Sequence, residues 1–182
     1  MKRIVIAVGL TMLLFAVSTV AQTPAPKPGP EHKWLARWAG DWTSEGVVQA
    51  TPFGPAGKTT GKGSARPILG GFFVEWRTEV KGLGGTVEGI EIDGYDPVTK
   101  EFTWNGFASD GSAERVTYTI EGNTVSYSGT QVTGGKQAKI RGTITLAPDF
   151  MSNVEKREIS ADGKAWMPFF EAKVTKVKSS AK

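Results

Sequence analysis

Apolar and polar residues alternate with a period of two through much of this chain, most clearly where Val116, Tyr118 and Ile120 interleave with Arg115, Thr117, Thr119 and Glu121. Such a segment has one apolar and one wet face, as a half-buried β-strand does. Val125 and Tyr127 carry the apolar series across the next turn, and Ile140, Ile144 and Leu146 repeat it. Tight-turn signals punctuate the second half: Asp93-Gly94, Asp96-Pro97, Asp110-Gly111, Gly122-Asn123, Gly134-Gly135, Pro148-Asp149 and Asp162-Gly163. The pattern predicts strands near 41–50, 59–69, 72–80, 86–94, 101–108, 113–121, 124–132, 136–146, 151–159 and 166–177, an all-β antiparallel up-and-down meander. A short helix over 31–39 precedes them, with Pro30 at its start, Trp34, Leu35 and Trp38 on one side and Gly40 to end it.

So many strands in one domain leave an edge problem that closure removes. Gly89, Gly106, Gly129 and Gly142 fall inside strands, where a coiled barrel strand needs close approach. A closed barrel of about 8–10 strands is expected over an open sandwich, of a size whose interior either fills with side chains or holds one small ligand. Which face of each strand points inward is not fixed by the alternation alone.

The N-terminus reads as a targeting segment. Lys2 and Arg3 precede an apolar run over 4–17, and the small residues Ser18, Thr19 and Ala21 place a cleavage site after Ala21. The run is shorter than the roughly 20 apolar residues a membrane helix needs. The reading is therefore a signal peptide over 1–21, a Pro-rich linker over 22–30, one barrel domain over 31–178 and a tail over 179–182. An exported protein, periplasmic or secreted and without a stable membrane anchor after cleavage, is the corresponding expectation.

Composition removes several chemistries. There is no cysteine, so thiolate catalysis, disulfides and a lipid-modified cysteine are excluded. His32 is the single histidine and stands beside the linker, where it reads as solvent-exposed. A serine triad, a histidine zinc site and proximal-histidine haem ligation are hard to build from it. With the leader removed, the net charge falls to about +2, too little for the basic face of a nucleic-acid binder. No cofactor, metal or nucleic-acid partner is expected.

The remaining polar chemistry lies in carboxylates and aromatics. Glu75, Glu88, Glu91, Glu155, Glu158 and Glu171 supply acid–base material, although Glu75 and Glu79 share parity with Arg77, as on a charged outer face. Asp93 and Asp96 read as turn openers before they read as cation ligands. Gly61-Lys62-Gly63-Ser64 and Gly82-Leu83-Gly84-Gly85 lack the following helix of a phosphate loop and read as hairpin turns. Residues 51–58, with two prolines and two glycines, read as a mobile loop at a barrel mouth. Trp76, Trp104, Phe107, Tyr118, Tyr127 and Phe170 either pack the interior or line a cup, where Arg141 and Arg157 would suit a carboxylate or phosphate headgroup.

Three local patterns carry a resemblance. Trp38-Ala39-Gly40-Asp41-Trp42 places Gly-x-Trp after a short helix, similar to the opening of lipocalins and the wider calycin superfamily. Leu69-Gly70-Gly71-Phe72-Phe73 and Ile92-Asp93-Gly94-Tyr95-Asp96 resemble segments of a bacterial family of exported proteins of unknown function with a calycin-like barrel. The resemblance implies that fold and a small-molecule cup, with Gly40, Trp42, Gly94, Tyr95 and Asp96 as structural signature residues, and no reaction. By likeness to lipocalins, Arg157 or Arg141 would cover Trp42 in a cation–π lid. The leading functional expectation is binding of a small apolar or amphipathic ligand. The alternatives are an enzyme built on carboxylates or a Tyr–Arg pair in the same cup, and a packed barrel acting in envelope structure or interaction.

Overall fold

The computed structural model describes residues 26–82 and 84–178; the expected leader and tail lie outside them. The helix α1 (Pro30–Leu35) continues into a 3-10 turn (Ala36–Trp38), shorter than a full helix to Ala39. Ten strands follow: β1 (Gly40–Val48), β2 (Gly57–Ile68), β3 (Phe73–Gly82), β4 (Gly85–Asp96), β5 (Glu101–Ala108), β6 (Ala113–Glu121), β7 (Thr124–Thr133), β8 (Lys136–Leu146), β9 (Ser152–Ser160) and β10 (Met167–Lys176). Each pairs antiparallel with its neighbours in sequence, and β1 pairs with β10 to close the ring.

The turn chemistry explains much of this order. At Gly134-Gly135 both residues have positive φ, 54° and 71°, the geometry a two-residue hairpin turn requires. Asp96 opens the β4–β5 turn by accepting the Val98 amide at 2.8 Å, and Asp149 accepts the Met151 amide at 2.9 Å. Two expected turns are not turns. Gly61–Ser64 lies within β2, where Gly63 pairs with Trp42 on one side and Thr78 on the other. Asp93-Gly94 lies within β4, paired to Val74 and Trp104. Ladders on both sides outweigh the local preference of such dipeptides for a bend. The segment 51–58 is also tighter than a free loop: Thr51 and Gly54 bond reciprocally, Phe53 packs against the core, and β2 begins at Gly57.

The closed end of the barrel is aromatic. Leu35 is buried, and the Trp38 ring packs edge-on or tilted against Trp42, Trp76 and Phe150 at 5.0–5.8 Å between centroids. Trp42 Nε1 donates to the Trp38 carbonyl at 2.8 Å, which ties the first strand to the cap. His32 belongs to this end and is half-buried, not solvent-exposed: its Nδ1 accepts the Gly29 amide at 3.0 Å and its ring meets Phe72 edge-on. At the opposite end Ala138, Ile140 and Ile159 are buried, and Phe53, Met167 and Phe169 pack onto the core they belong to.

The cation over Trp42 is neither arginine. Lys176, its register partner on β10, holds Nζ 5.1 Å from the Trp42 ring centroid and donates to the Arg37 carbonyl at 3.0 Å. Burial lowers the Lys176 pKa. Lys176→Met should lower stability by about 1 kcal/mol, since a partly desolvated cation–π contact and a hydrogen bond are lost together. Urea unfolding of the two proteins measures this; an unchanged midpoint would show the lid to be inert.

Candidate functional site

Alternation along each strand sends Trp42, Gly61, Gly63, Trp76, Thr78, Glu91, Asp93, Trp104, Glu114, Tyr118, Tyr127, Glu155 and Arg157 to the inner face. Ring order follows from register: Trp76 pairs with Glu91, Glu91 with Gly106, Gly106 with Glu114, and Glu114 with Gln131. Gly106 presents no side chain between the two glutamates, and a Cβ there would lie 3.0 Å from Glu114 Cγ. Gly142 does the same for Tyr127, whose hydroxyl occupies the space a Cβ would need.

Between the tryptophan cap and the packed far end lies a cavity of about 210 Å³. Trp38, Trp42, Trp76 and Trp104 contribute its aromatic wall, and Glu91, Asp93, Glu155, Arg157 and Tyr118 its polar one. Gly61 and Gly63 present no side chain to it from β2, where Lys62 lies between them. For scale, an apolar cavity of about 150 Å³ admits benzene, so one molecule with a single ring fits here.

Arg157 organises the polar wall. Its guanidinium donates to Glu114 at 2.8 Å, to Glu155 at 3.0 Å and to the Tyr127 hydroxyl at 3.0 Å. The Tyr127 hydroxyl in turn donates to Glu155 at 2.6 Å, and Trp104 Nε1 donates to Glu114 at 3.1 Å. Burial alone would lower the Arg157 pKa, but the carboxylates of Glu114 and Glu155 hold it well above its ordinary value. Burial pushes the Tyr127 hydroxyl upward, with Glu155 adding to the effect.

Glu91 and Asp93, two residues apart on β4, form a second group. Asp93 is 4 % exposed and accepts Trp76 Nε1 at 2.9 Å. Its pKa is pushed up to about 7, chiefly by burial and also by Glu114, against the lowering effect of bonds from Trp76 and Tyr118. The Glu91 pKa is raised well above the ordinary carboxyl range by burial first, then by Asp93 and Glu114. No described residue forms an ion pair with either carboxyl. Glu91 has residual accessible surface, and that surface faces the cavity it lines.

Trp76, Trp104, Tyr118 and Arg157 therefore stand in the cavity wall as candidate ligand contacts, with Tyr127 bonded to Arg157 behind it. Phe170 packs over Gly46, outside that wall. Phe107 and Arg141 point outward. Phe107 is 54 % exposed, and Arg141 pairs with Glu158 at 2.7 Å while lying 4.3 Å above the Trp166 ring. Parity is the reason: both residues occupy the face opposite their buried neighbours Trp104 and Ile140. Arg157 is inside, yet its donors are taken by Glu114 and Glu155, so it has little left for a ligand headgroup. Glu75 pairs with Arg77, and Glu79 with Lys62, on the outer face as their parity implied.

Glu114 and the role of Asp93 were not read from the sequence. A signal existed: Glu114 shares parity with Val116 and Tyr118, so a charged residue sat on the apolar face of the clearest strand.

No curated protein sequence matches the chain. Among solved structures, it is similar to Rv2717c from M. tuberculosis, at 11 % identity and a TM-score of 0.59, covering 82 % of this chain and 99 % of that one. It is also similar to the S-type phycobiliprotein lyase CPES from Guillardia theta, at 10 % identity and a TM-score of 0.50, covering 82 % and 94 %. At these identities the likeness speaks for the fold, a calycin-like barrel, and for nothing finer. A family model matches residues 27–176, nearly the whole barrel and its cap: the chain belongs to the family described as protein of unknown function DUF1579.

Proposed function

We propose that this protein is an exported barrel that binds one small amphipathic molecule in its interior. The observation that carries the reading is the cavity of about 210 Å³, lined by four tryptophans and by Glu91, a carboxyl with no ion-pair partner among the described residues. A fully packed barrel would leave no such carboxyl facing open space, because burying an unpaired acid opposes folding. The structural neighbour named as a lyase shares the architecture, which is consistent with a ligand-holding role and does not assign one.

Native mass spectrometry of protein purified from its own source is the direct test, with a bound molecule of roughly one ring's size as the expected result. Recovery of apo protein alone, with no small-molecule probe raising its melting temperature, would sink the reading. The same spectrum reports export, for which the mature chain should begin at Gln22.

A second reading rests on Glu91 and Asp93. Two neighbouring carboxyls with raised proton affinity, one near 7, are suited to general acid–base work at neutral pH. Turnover of a co-purified ligand that stops in both Glu91→Gln and Asp93→Asn would favour this enzyme over a carrier.

A further inference from the structure

The polar groups around the cavity are unequal in kind. Trp42 Nε1 is given to the Trp38 carbonyl, Trp76 Nε1 to Asp93 and Trp104 Nε1 to Glu114. Arg157 is spent on Glu114, Glu155 and Tyr127. The Tyr127 hydroxyl is given to Glu155. The indole, guanidinium and phenol donors of the wall are thus consumed within it, and what remains toward the cavity is carboxyl oxygen, the faces of indole rings and the neutral polar groups of Ser44, Thr78 and Asn153. Charge points the same way. Glu114 and Glu155 outnumber the one inward cation, Arg157, before Glu91 and Asp93 are counted, while Lys62, which also borders the cavity, is held by Glu79 at 3.0 Å on the outer face.

Resting on the reading of this cavity as a ligand site, we propose that it selects a protonated amine carrying a small apolar body. The ammonium would sit at Glu91, whose carboxyl accepts from no described side chain, and beside Asp93, which already accepts Trp76 Nε1. The apolar body would lie against Trp42 and Trp76, whose faces attract a neighbouring cation. An anionic ligand would meet like charge. A neutral alcohol or ketone would bring no cation to Glu91 and Asp93, so the two would keep their protons and gain no ion pair.

Binding then carries a proton count. In the empty protein the burial that raises Glu91 and Asp93 keeps protons on them near neutrality. An arriving ammonium favours the ionised forms, so a proton leaves as the amine enters, and affinity rises with pH while the amine itself stays charged. The groups facing this pair are Glu114, Glu155, Arg157 and the Tyr118 hydroxyl; the tyrosine is itself driven upward by burial and does not ionise in this range.

The test uses three probes with one skeleton, phenethylamine, 2-phenylethanol and phenylacetate, titrated into the full mature protein at pH 7 with tryptophan fluorescence as readout. Phenethylamine should bind at least tenfold tighter than 2-phenylethanol, with phenylacetate weakest, and Glu91→Gln should reduce that preference about tenfold. Calorimetry in two buffers of different ionisation enthalpy should show proton release with the amine. This measurement on the unaltered protein stands even where Glu91→Gln fails to fold. Equal or inverted preference, or proton uptake, would overturn the amine assignment and leave the cavity a ligand site. Failure of all three probes together with a different co-purified molecule would do the same. Failure of all three with no ligand found at all would overturn both.

Discussion

Replacing Arg157 with Leu should destabilise the barrel by about 3–5 kcal/mol, the usual result of removing one partner from a buried ion network. Glu114 and Glu155 would be left facing each other across an interior with no cation, and Tyr127 and Gln131 would lose their donor. For a domain of this size that corresponds to a fall in melting temperature of roughly 10 °C or more. The cause is the stranded charge, not the lost packing volume. Accordingly, Arg157→Leu combined with Glu114→Gln and Glu155→Gln should recover most of the loss, since neutral amides keep the shape without the charge. Thermal and urea unfolding of the single and triple variants decides the matter. A triple variant no more stable than the single one would mean that packing around the guanidinium dominates.

Stability should also fall as pH rises from 4 to 8. The folded protein holds protons on Glu91 and Asp93 at pH values where the unfolded chain has released them, so it binds more protons in that window and is favoured at its acidic end. The contribution is fully present below the ordinary carboxyl range and is lost as pH passes through the folded-state values. For Asp93, a rise from 3.8 to about 7 corresponds to on the order of 4 kcal/mol, with Glu91 adding in the same direction. Asp93→Asn keeps an acceptor for Trp76 Nε1 and removes the titration. It should flatten the profile and exceed the unaltered protein in stability at pH 8. Chemical unfolding across the pH range measures both; parallel profiles would show that these carboxyls are not held protonated.

Strand placement was legible for Glu91, Glu114 and Arg157 and not for Asp93, which read as a turn opener; the partners of all four were not. The alternation of Val116, Tyr118 and Ile120 put those three on one face of β6, and the turn residues at 110–111, 122–123 and 134–135 set the neighbouring hairpins. Glu114 followed the same alternation inward. Nothing local states that it meets Arg157, 43 positions on, because that meeting is made by registers passing through β7, β8 and β9. Parity also separated Phe107 from Trp104 and Arg141 from Ile140, but only once one residue of each strand was known to be buried.

The cap shows the same division. Gly-x-Trp after a short helix located the opening of the barrel, and Trp42 stands there buried. The cation above it is Lys176 because closure pairs β1 with β10, and closure is a property of the whole ring. By itself, then, the amino-acid order determined the strands, most of the turns between them, the all-β class and the absence of cysteine chemistry. These follow from side-chain periodicity and backbone preference over a few residues. Only the tertiary structure decided that Asp93-Gly94 is strand, that Glu91 and Asp93 share a cavity, and that Arg157 is already paired. Those outcomes rest on burial and on contacts far apart in the chain, where the energy of a charge is set by its surroundings and not by its neighbours in sequence.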